Sequence, residues 1–417
     1  MRLLYSVAIH LYNAAIHFAA LFNFKARQWV QGRRGVFDFL ARQCAEKKHI
    51  IWFHAASLGE FEQGKPLMQL YRQQHPECTI LVTFFSPSGY EVKKNDKVAD
   101  IICYLPLDTP RNARRFLDIV PVEKAVFVKY EYWYNYMHQL SLRQTPFYYI
   151  SAIFRPSQYF FKPYGTWFAQ QLKNCTYFFV QNEVSRDLLH SIGIDQVEIT
   201  GDTRFDRVYD ISRQQYELDF VQDFRQEDTR LIVAGSTWGP DEQLLKQLLE
   251  KLPANYKLVL APHVTDAKHI GQIKELFQEF STVCYTEKDG KDLSSYRVLV
   301  IDTIGILSKI YKYSYISYIG GAFETGLHNI LEAAVFGVPL FFGPKYQKFN
   351  EAVQLVALQG AFSITSYEEM LQKCQLYASS PEAYNAVCEI CKKYVESNLG
   401  SCEKIMGKLA NAYFPFY

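Results

Sequence analysis

Apolar residues in this chain fall into short unbroken runs separated by longer amphipathic stretches. Ile50–Phe53, Thr79–Phe85, Ile101–Leu105, Ala125–Val128, Phe147–Ile150 and Tyr177–Val180 form one series. Leu231–Ala234, Leu258–Ala261, Val298–Ile301, Ile316–Ile319 and Pro339–Phe342 form a second. Runs this short, without polar alternation, suit strands buried on both faces. The gaps between them leave room for crossover helices, so each series predicts a parallel sheet in an α/β domain. Arg204–Thr229, between the two series, is polar and poor in strand signals, and the domain boundary is expected there. The pattern therefore predicts two doubly wound, Rossmann-like domains facing a central cleft. Ligands are expected beyond the carboxyl ends of the strands.

The first residues follow a different pattern. Leu3–Phe24 is mostly apolar but interrupted by His10, Asn13, His17 and Asn23. Residues 1–37 hold no acid, while Arg2, Lys25, Arg27, Arg33 and Arg34 are basic. A clean spanning helix carries fewer polar groups, and no A-x-A cleavage pattern suggests a secretory signal. The expectation is a membrane-associating helix with a basic collar over 1–35, against an anionic membrane surface. The alternative is an ordinary packed helix. The two domains are then expected over 36–210 and 228–417.

Composition narrows the picture only modestly. A net charge of +2 gives no case for nucleic-acid binding. Nine scattered cysteines lack a disulfide framework and fit a reducing compartment. Cys388 and Cys391 form a CxxC, but no second pair completes a metal site, so no metal is expected.

Four strand ends in the first half carry candidate chemistry. His54-Ala55-Ala56-Ser57-Leu58-Gly59-Glu60 follows the first run. Glu60 there can take a proton from an attacking hydroxyl, or simply complement a helix dipole. Ser86 and Ser88 follow the second run and suit either an acceptor contact or a helix cap, with Ser88 three residues before Glu91. Lys129 and Glu131 follow Ala125–Val128, among aromatics, and read as site residues or as a mutual salt bridge. Arg155 follows Phe147–Ile150, with Lys162 seven residues on, and can grip a carboxylate or phosphate or remain a surface cation.

In the second half, Gly235-Ser236-Thr237 suits a phosphate at a βα turn. Residues 320–344, GGAFETGLHNILEAAVFGVPLFFGP, predict a glycine loop, a helix starting near Leu327 and a strand. Gly320, Gly321 and Gly326 would let backbone approach a ligand. The helix start near His328 would face a phosphate, with Asn329 and Glu332 on one face of its first turn. A nucleotide-sugar fits that set, which points to group transfer.

Taken in order, HAASLGE, TFFSPSGYE, KYEYWYN, SAIFR, ITGDTRFD, AGSTWGPDE, IDTIG and GGAFETGLHNILEAAVFGVPLFFGP resemble the bacterial 3-deoxy-D-manno-oct-2-ulosonic acid (Kdo) transferases of lipopolysaccharide assembly. The resemblance implies a GT-B fold, CMP-Kdo as donor, a lipid A precursor as acceptor, and metal-independent, inverting transfer without a cofactor. It implies Glu60 as general base, with Glu131 beside it as a further catalytic residue. It assigns donor contacts to Ser236, Asn329 and Glu332, joined by Thr237, Gly321 and His328. It suggests acceptor or phosphate contacts at Ser57, Ser86, Ser88, Lys129, Arg155, Lys162 and Arg204. It also implies the cytoplasmic face of the bacterial inner membrane.

The chain departs from the family pattern at four places. Pro262 is followed directly by His263, where the family often has Arg. Ile306 stands where many members carry a carboxylate. GDTRF replaces the commoner GNxKF. The glycine loop is lengthened by Phe323-Glu324-Thr325. The competing readings are another GT-B enzyme using a UDP-sugar, as transferase or 2-epimerase, and a non-catalytic sugar-binding protein at the membrane surface.

Overall fold

A computed structural model describes residues 2–324 and 326–411. Thr325, part of the lengthened loop, lies outside the described residues. The chain divides into two compact units. One runs to Arg207 and is completed by the chain from Leu399 on, and the other spans Val208–Asn398.

The first unit is built on β1 (Ile50–Ala55), β2 (Thr79–Phe84), β3 (Ile101–Tyr104), β4 (Val122–Val128), β5 (Phe147–Ala152), β6 (Tyr177–Val180) and β7 (Val197–Ile199). Their order across the sheet is β3-β2-β1-β4-β5-β6-β7, all parallel. The reversal of strand order beside β1 is the switch point where such sheets bind ligands. Along β1, Trp52 packs with Phe116, Phe127 and Tyr136 on one face, while Ile51 and Phe53 enter the core on the other. Each such buried side chain contributes about 1.5–3 kcal/mol.

The second unit holds β8 (Arg230–Thr237), β9 (Tyr256–Pro262), β10 (Thr282–Cys284), β11 (Val298–Val300), β12 (Ile316–Ile319), β13 (Leu340–Phe342) and β14 (Ala361–Ser363). The order is β10-β11-β9-β8-β12-β13-β14, again all parallel, and it differs from the first sheet in that the fourth strand, β11, lies between the third and the second rather than beside the first.

The last helix corrects the expected limits of 228–417. Ser401–Asn411 packs Ile405, Met406 and Leu409 into the first unit's core beside Phe61 and Leu67. Asp206 holds its start, accepting from the Gly400 and Cys402 amides at 2.7 Å each. An apolar helix face and a carboxylate at its start return the chain to the first unit.

The first helix, Arg2–Ala19, is docked on its inner side. Tyr5 donates to the buried Asp108 carboxylate at 2.6 Å and packs among Tyr134, Trp167 and Phe168. Its other side exposes Leu3, Leu4, Val7, Leu11 and Phe18. No helix among the described residues is long and apolar enough to cross a membrane. Arg33, expected in the basic collar, is withdrawn instead. Its guanidinium donates to the carbonyls of Leu105, Trp29 and Phe85 and lies 3.7 Å over the Trp29 ring. Three backbone carbonyls and an aromatic face satisfy that cation inside the fold.

Candidate active site

Glu60 sits in the third position of the helix Leu58–Gln74, which starts directly after β1. Ser57 caps that helix and Glu60 reaches back to form a capping box. Glu60 Oε2 accepts from the Ala56 amide at 2.5 Å and the Ser57 amide at 3.2 Å. Both bonds fall on one oxygen, so the cap orients the carboxyl, and Oε1 accepts no hydrogen bond among the described residues. The capping and catalytic readings of Glu60 are therefore compatible. Burial first, and then the charge of Glu131, push Glu60 up to about 8, against the Ala56 and Ser57 amides and the Lys129 cation.

Glu131 lies just beyond β4. The chain turns there at Lys129, whose φ is 69°. Ser151 in β5 and Ser236 in β8 also take positive φ, at 48° and 55°. Non-glycine residues rarely adopt this conformation, and here it recurs at strand ends bearing candidate chemistry. The Glu131 Oε2 lies 3.1 Å from His54 Nε2 and accepts from Trp133 Nε1 at 2.8 Å. His54 Nδ1 faces the Thr83 hydroxyl at 2.8 Å and its carbonyl at 3.0 Å, and Trp52 Nε1 donates to the same hydroxyl at 2.7 Å. His54 is fully buried and Glu131 nearly so. A polar chain of this kind, satisfied at each link, fixes side-chain direction in a low-dielectric setting.

Tyr130 gathers the surrounding charges. Burial raises its hydroxyl above the usual range, and Arg155, Glu60, Arg204 and Asp202 all act on it electrostatically. Arg155 Nη2 donates to the Tyr130 hydroxyl at 3.4 Å. Arg204 is engaged by the buried Asp202, which accepts from its Nε at 2.9 Å and from Gln63 Nε2 at 3.0 Å. Lys162 stands between two 3-10 turns, Tyr159–Phe161 and Pro163–Gly165. Among the described residues, no side-chain bond joins it to this cluster. Ser86, rather than Ser88, caps the helix Pro87–Lys93, and their hydroxyls lie 2.9 Å apart. Gly89 brings that helix against the Ser57 backbone, where a Cβ would come within 3.0 Å of the Ser57 carbonyl carbon.

In the second unit, Ser236 is the next-to-last residue of β8 and sits at a register shift against β9. Gly320 passes so close that a Cβ would lie 2.4 Å from the Ser236 carbonyl oxygen and 2.6 Å from Thr237 Cα. Asp241 straps this turn to the glycine loop. It accepts from the Trp238 and Gly321 amides at 2.9 Å each and from the Tyr318 hydroxyl at 2.7 Å. Thr237 is fully buried and donates to Glu242 at 3.1 Å, so its hydroxyl supports the turn from within. His328 stacks on His263 at 4.5 Å between ring centroids, and His263 stacks on Trp238 at 4.8 Å.

The expected helix near Leu327 is corrected by the structure. Residues 326–330 are extended or irregular, and only Leu331–Ala334 is helical. Asn329 accounts for the late start, because its Oδ1 accepts from the Leu331 amide at 3.2 Å while its Nδ2 donates to Glu332 at 3.0 Å. A phosphate site built on a helix dipole at His328 loses its basis. Asn329 and Glu332 nevertheless stand together as a bonded pair.

Sequence reasoning gave no role to His54, Thr83, Trp133, Asp202 or Asp241. A histidine closing an otherwise apolar strand was the available signal for the first.

Residues 30–207 match the family described as 3-Deoxy-D-manno-octulosonic-acid transferase (kdotransferase). The 3-deoxy-D-manno-octulosonic acid transferase of Haemophilus influenzae is 27% identical over 410 residues, covering 94% of each chain. The enzyme of that name from Aquifex aeolicus is 25% identical over 334 residues, covering 78% of this chain and 85% of its own. Among solved structures, the UDP-GlcNAc 2-epimerase of Neisseria meningitidis bound to UDP-GlcNAc aligns with a TM-score of 0.61 at 17% identity, over 87% of this chain and 99% of its own. A glycosyltransferase from Rickettsia africae aligns at 0.58 and 14% identity, over 88% of this chain and 100% of its own. At these identities the structural likeness is one of fold, and that fold is GT-B. Together the matches make the chain similar to the 3-deoxy-D-manno-octulosonic acid transferases over most of its length, and they support a glycosyltransferase.

Proposed function

We propose that this protein transfers Kdo from CMP-Kdo to the 6′-hydroxyl of a lipid A precursor, with inversion and without a metal ion or cofactor. The first unit serves the acceptor and the second the donor. The observation that carries the reading is the carboxyl of Glu60. One oxygen is tied to the helix start, and burial and Glu131 raise its proton affinity well above that of an ordinary glutamate. In its ionised form such a carboxylate is a strong base toward a sugar hydroxyl. The acceptor oxygen attacks C2 of Kdo and its proton passes to Glu60. The C2–O bond to the phosphate breaks, and CMP leaves with the electron pair.

Glu131, fixed by His54 and Trp133, sustains the negative field beside that base. Lys129 and Arg155 supply cations suited to acceptor phosphate. Ser57 and Ser86 with Ser88, which follow β1 and β2, serve as secondary acceptor contacts, with Arg204 and Lys162 as further cations. On the donor side, the Ser236 turn and Gly321 offer backbone approach, and the Asn329–Glu332 pair offers acceptors for ribose hydroxyls. The exposed apolar side of the helix Arg2–Ala19, with Lys25, Arg27 and Arg34 nearby, supports peripheral attachment to the anionic cytoplasmic face of the inner membrane.

The test is to incubate the protein with CMP-Kdo and a tetra-acylated disaccharide acceptor in the presence of a chelator. The reading expects the acceptor's mass to rise by one or more Kdo residues. No mass change, together with transfer from a UDP-sugar, would replace it.

A further inference from the structure

A cavity of about 650 Å³ opens in the first unit between the helix Arg2–Ala19, the chain from Trp29 to Phe37 and the turn that follows β3. That volume is in the range of small-molecule sites. His10, Asn13 and His17 line it from one stripe of the helix, and Arg34, Thr109 and Arg111 line it from the other elements. Arg111 stands in the first turn of the helix Pro110–Ile119, whose positive dipole end adds to its charge. No acid lines the cavity, and neither arginine side chain has an ion-pair partner among the described residues. Asp108, in the same turn, is buried and held by Tyr5 and by the Asn135 and Tyr136 amides. In the cavity wall Trp29 is 5% exposed, and its Nε1 finds no acceptor among the described residues. Two unpaired cations and a buried orphan donor suit an anion rich in oxygen.

Two relationships narrow the choice of anion. Leu3 and Val7 stand seven and three residues before His10, so the exposed apolar stripe of the helix borders the stripe that lines the cavity. A ligand with its anion in the cavity can therefore lay hydrocarbon along Leu3, Val7, Leu11 and Phe18. On the opposite side the wall is filled. Phe85 packs on Trp29 at 5.7 Å and on Trp133 at 4.8 Å between ring centroids, and Trp133 donates to Glu131. Packed rings thus run from the cavity wall to Glu131, and an occupant of the cavity stays apart from the reacting groups.

We propose that this cavity binds the phosphate headgroup of one anionic glycerophospholipid of the bilayer, with Arg34 and Arg111 as its cations and the acyl chains on the apolar stripe of the helix. The inference rests on the reading of that helix as membrane-facing, and it adds a built site for a single lipid to a general attraction between surfaces. The lipid is not the sugar acceptor. It ties the first helix to the unit it docks on and sets the depth at which the unit meets the bilayer.

The test uses dihexanoyl phosphatidylglycerol below its micelle concentration, so that no membrane surface is present. Binding to the full-length protein is followed by calorimetry, with thermal unfolding as the check on folding. The expected result is saturable one-to-one binding, weakened about tenfold or more by Arg34→Gln and by Arg111→Gln. Lys25→Gln, which removes a cation outside the cavity lining, should leave the affinity unchanged. Glycerophosphoglycerol, the same headgroup without chains, should bind at least tenfold more weakly, and dihexanoyl phosphatidylcholine several-fold more weakly. Equal binding of the headgroup alone would make this a free-phosphate site and overturn the inference. So would displacement of the phospholipid by the acylated disaccharide acceptor, which would assign the cavity to the substrate. Absence of saturable binding, with sedimentation on anionic vesicles intact, would overturn the single-lipid site and leave membrane attachment standing. Loss of both would overturn the two together.

Discussion

His54 Nε2 lies 3.1 Å from the Glu131 carboxylate, with the imidazole fully buried. The pair anchors a hydrogen-bonded chain running from Trp52 through Thr83 and His54 to Glu131 and Trp133. It explains how a carboxylate is tolerated among so many aromatic rings.

Removing the imidazole should be costly. His54→Phe leaves Glu131 buried with Trp133 as its remaining side-chain donor, and should lower unfolding free energy by about 3 kcal/mol in urea titrations. A loss below about 0.5 kcal/mol would show that the pair contributes no net stability.

Glu131 should be felt at Glu60. Its charge is the second cause of the raised proton affinity there, after burial. Glu131→Gln should therefore shift the alkaline rise of the pH–rate profile to lower pH and reduce the maximal rate. An unshifted profile would mean that Glu131 acts on some other group.

The proton on Glu60 also links stability to pH. Its folded value of about 8 exceeds the ordinary 4.5. The stability from that proton is complete below 4.5 and is lost as pH rises toward 8. Glu60→Gln lacks this loss, so its melting temperature should gain on the parent steadily across that interval. Parallel curves would show that Glu60 titrates normally.

Gly320 tests the donor turn. Gly320→Ala drives a methyl group into the Ser236 carbonyl and Thr237 Cα, and should cost about 1–3 kcal/mol and weaken CMP-Kdo binding. Glu332→Ala, by contrast, should weaken donor binding with little change in stability. Equilibrium binding and thermal unfolding of both variants separate the two effects.

The exposed helix face is tested by vesicle sedimentation. Replacing Leu4, Leu11 and Phe18 with Ser should reduce binding to anionic vesicles several-fold while the Tyr5–Asp108 contact stays intact. Unchanged sedimentation would assign the apolar face another role.

The eleven strands legible in the sequence are those with continuous apolar runs. The three that escaped, Val197–Ile199, Thr282–Cys284 and Ala361–Ser363, are each three residues long and lie at sheet edges. Such strands bury little and leave almost no pattern. The final helix was assigned to the second unit because sequence proximity cannot show that Asp206 and the Phe61 cluster receive it. The helix expected near Leu327 failed because Asn329 turns its side chain back to the chain. Glu60 and Glu131 were legible as carboxylates at strand ends. Their supports at His54, Thr83 and Trp133 depend on contacts between strands that no spacing encodes.

The most direct test of the account is acceptor-dependent release of CMP from CMP-Kdo, compared between the parent protein and Glu60→Gln. The account predicts release that requires the lipid acceptor and falls by about 10²–10⁴-fold in the variant, with donor binding retained. Acceptor-dependent release at the parent rate in Glu60→Gln would contradict it.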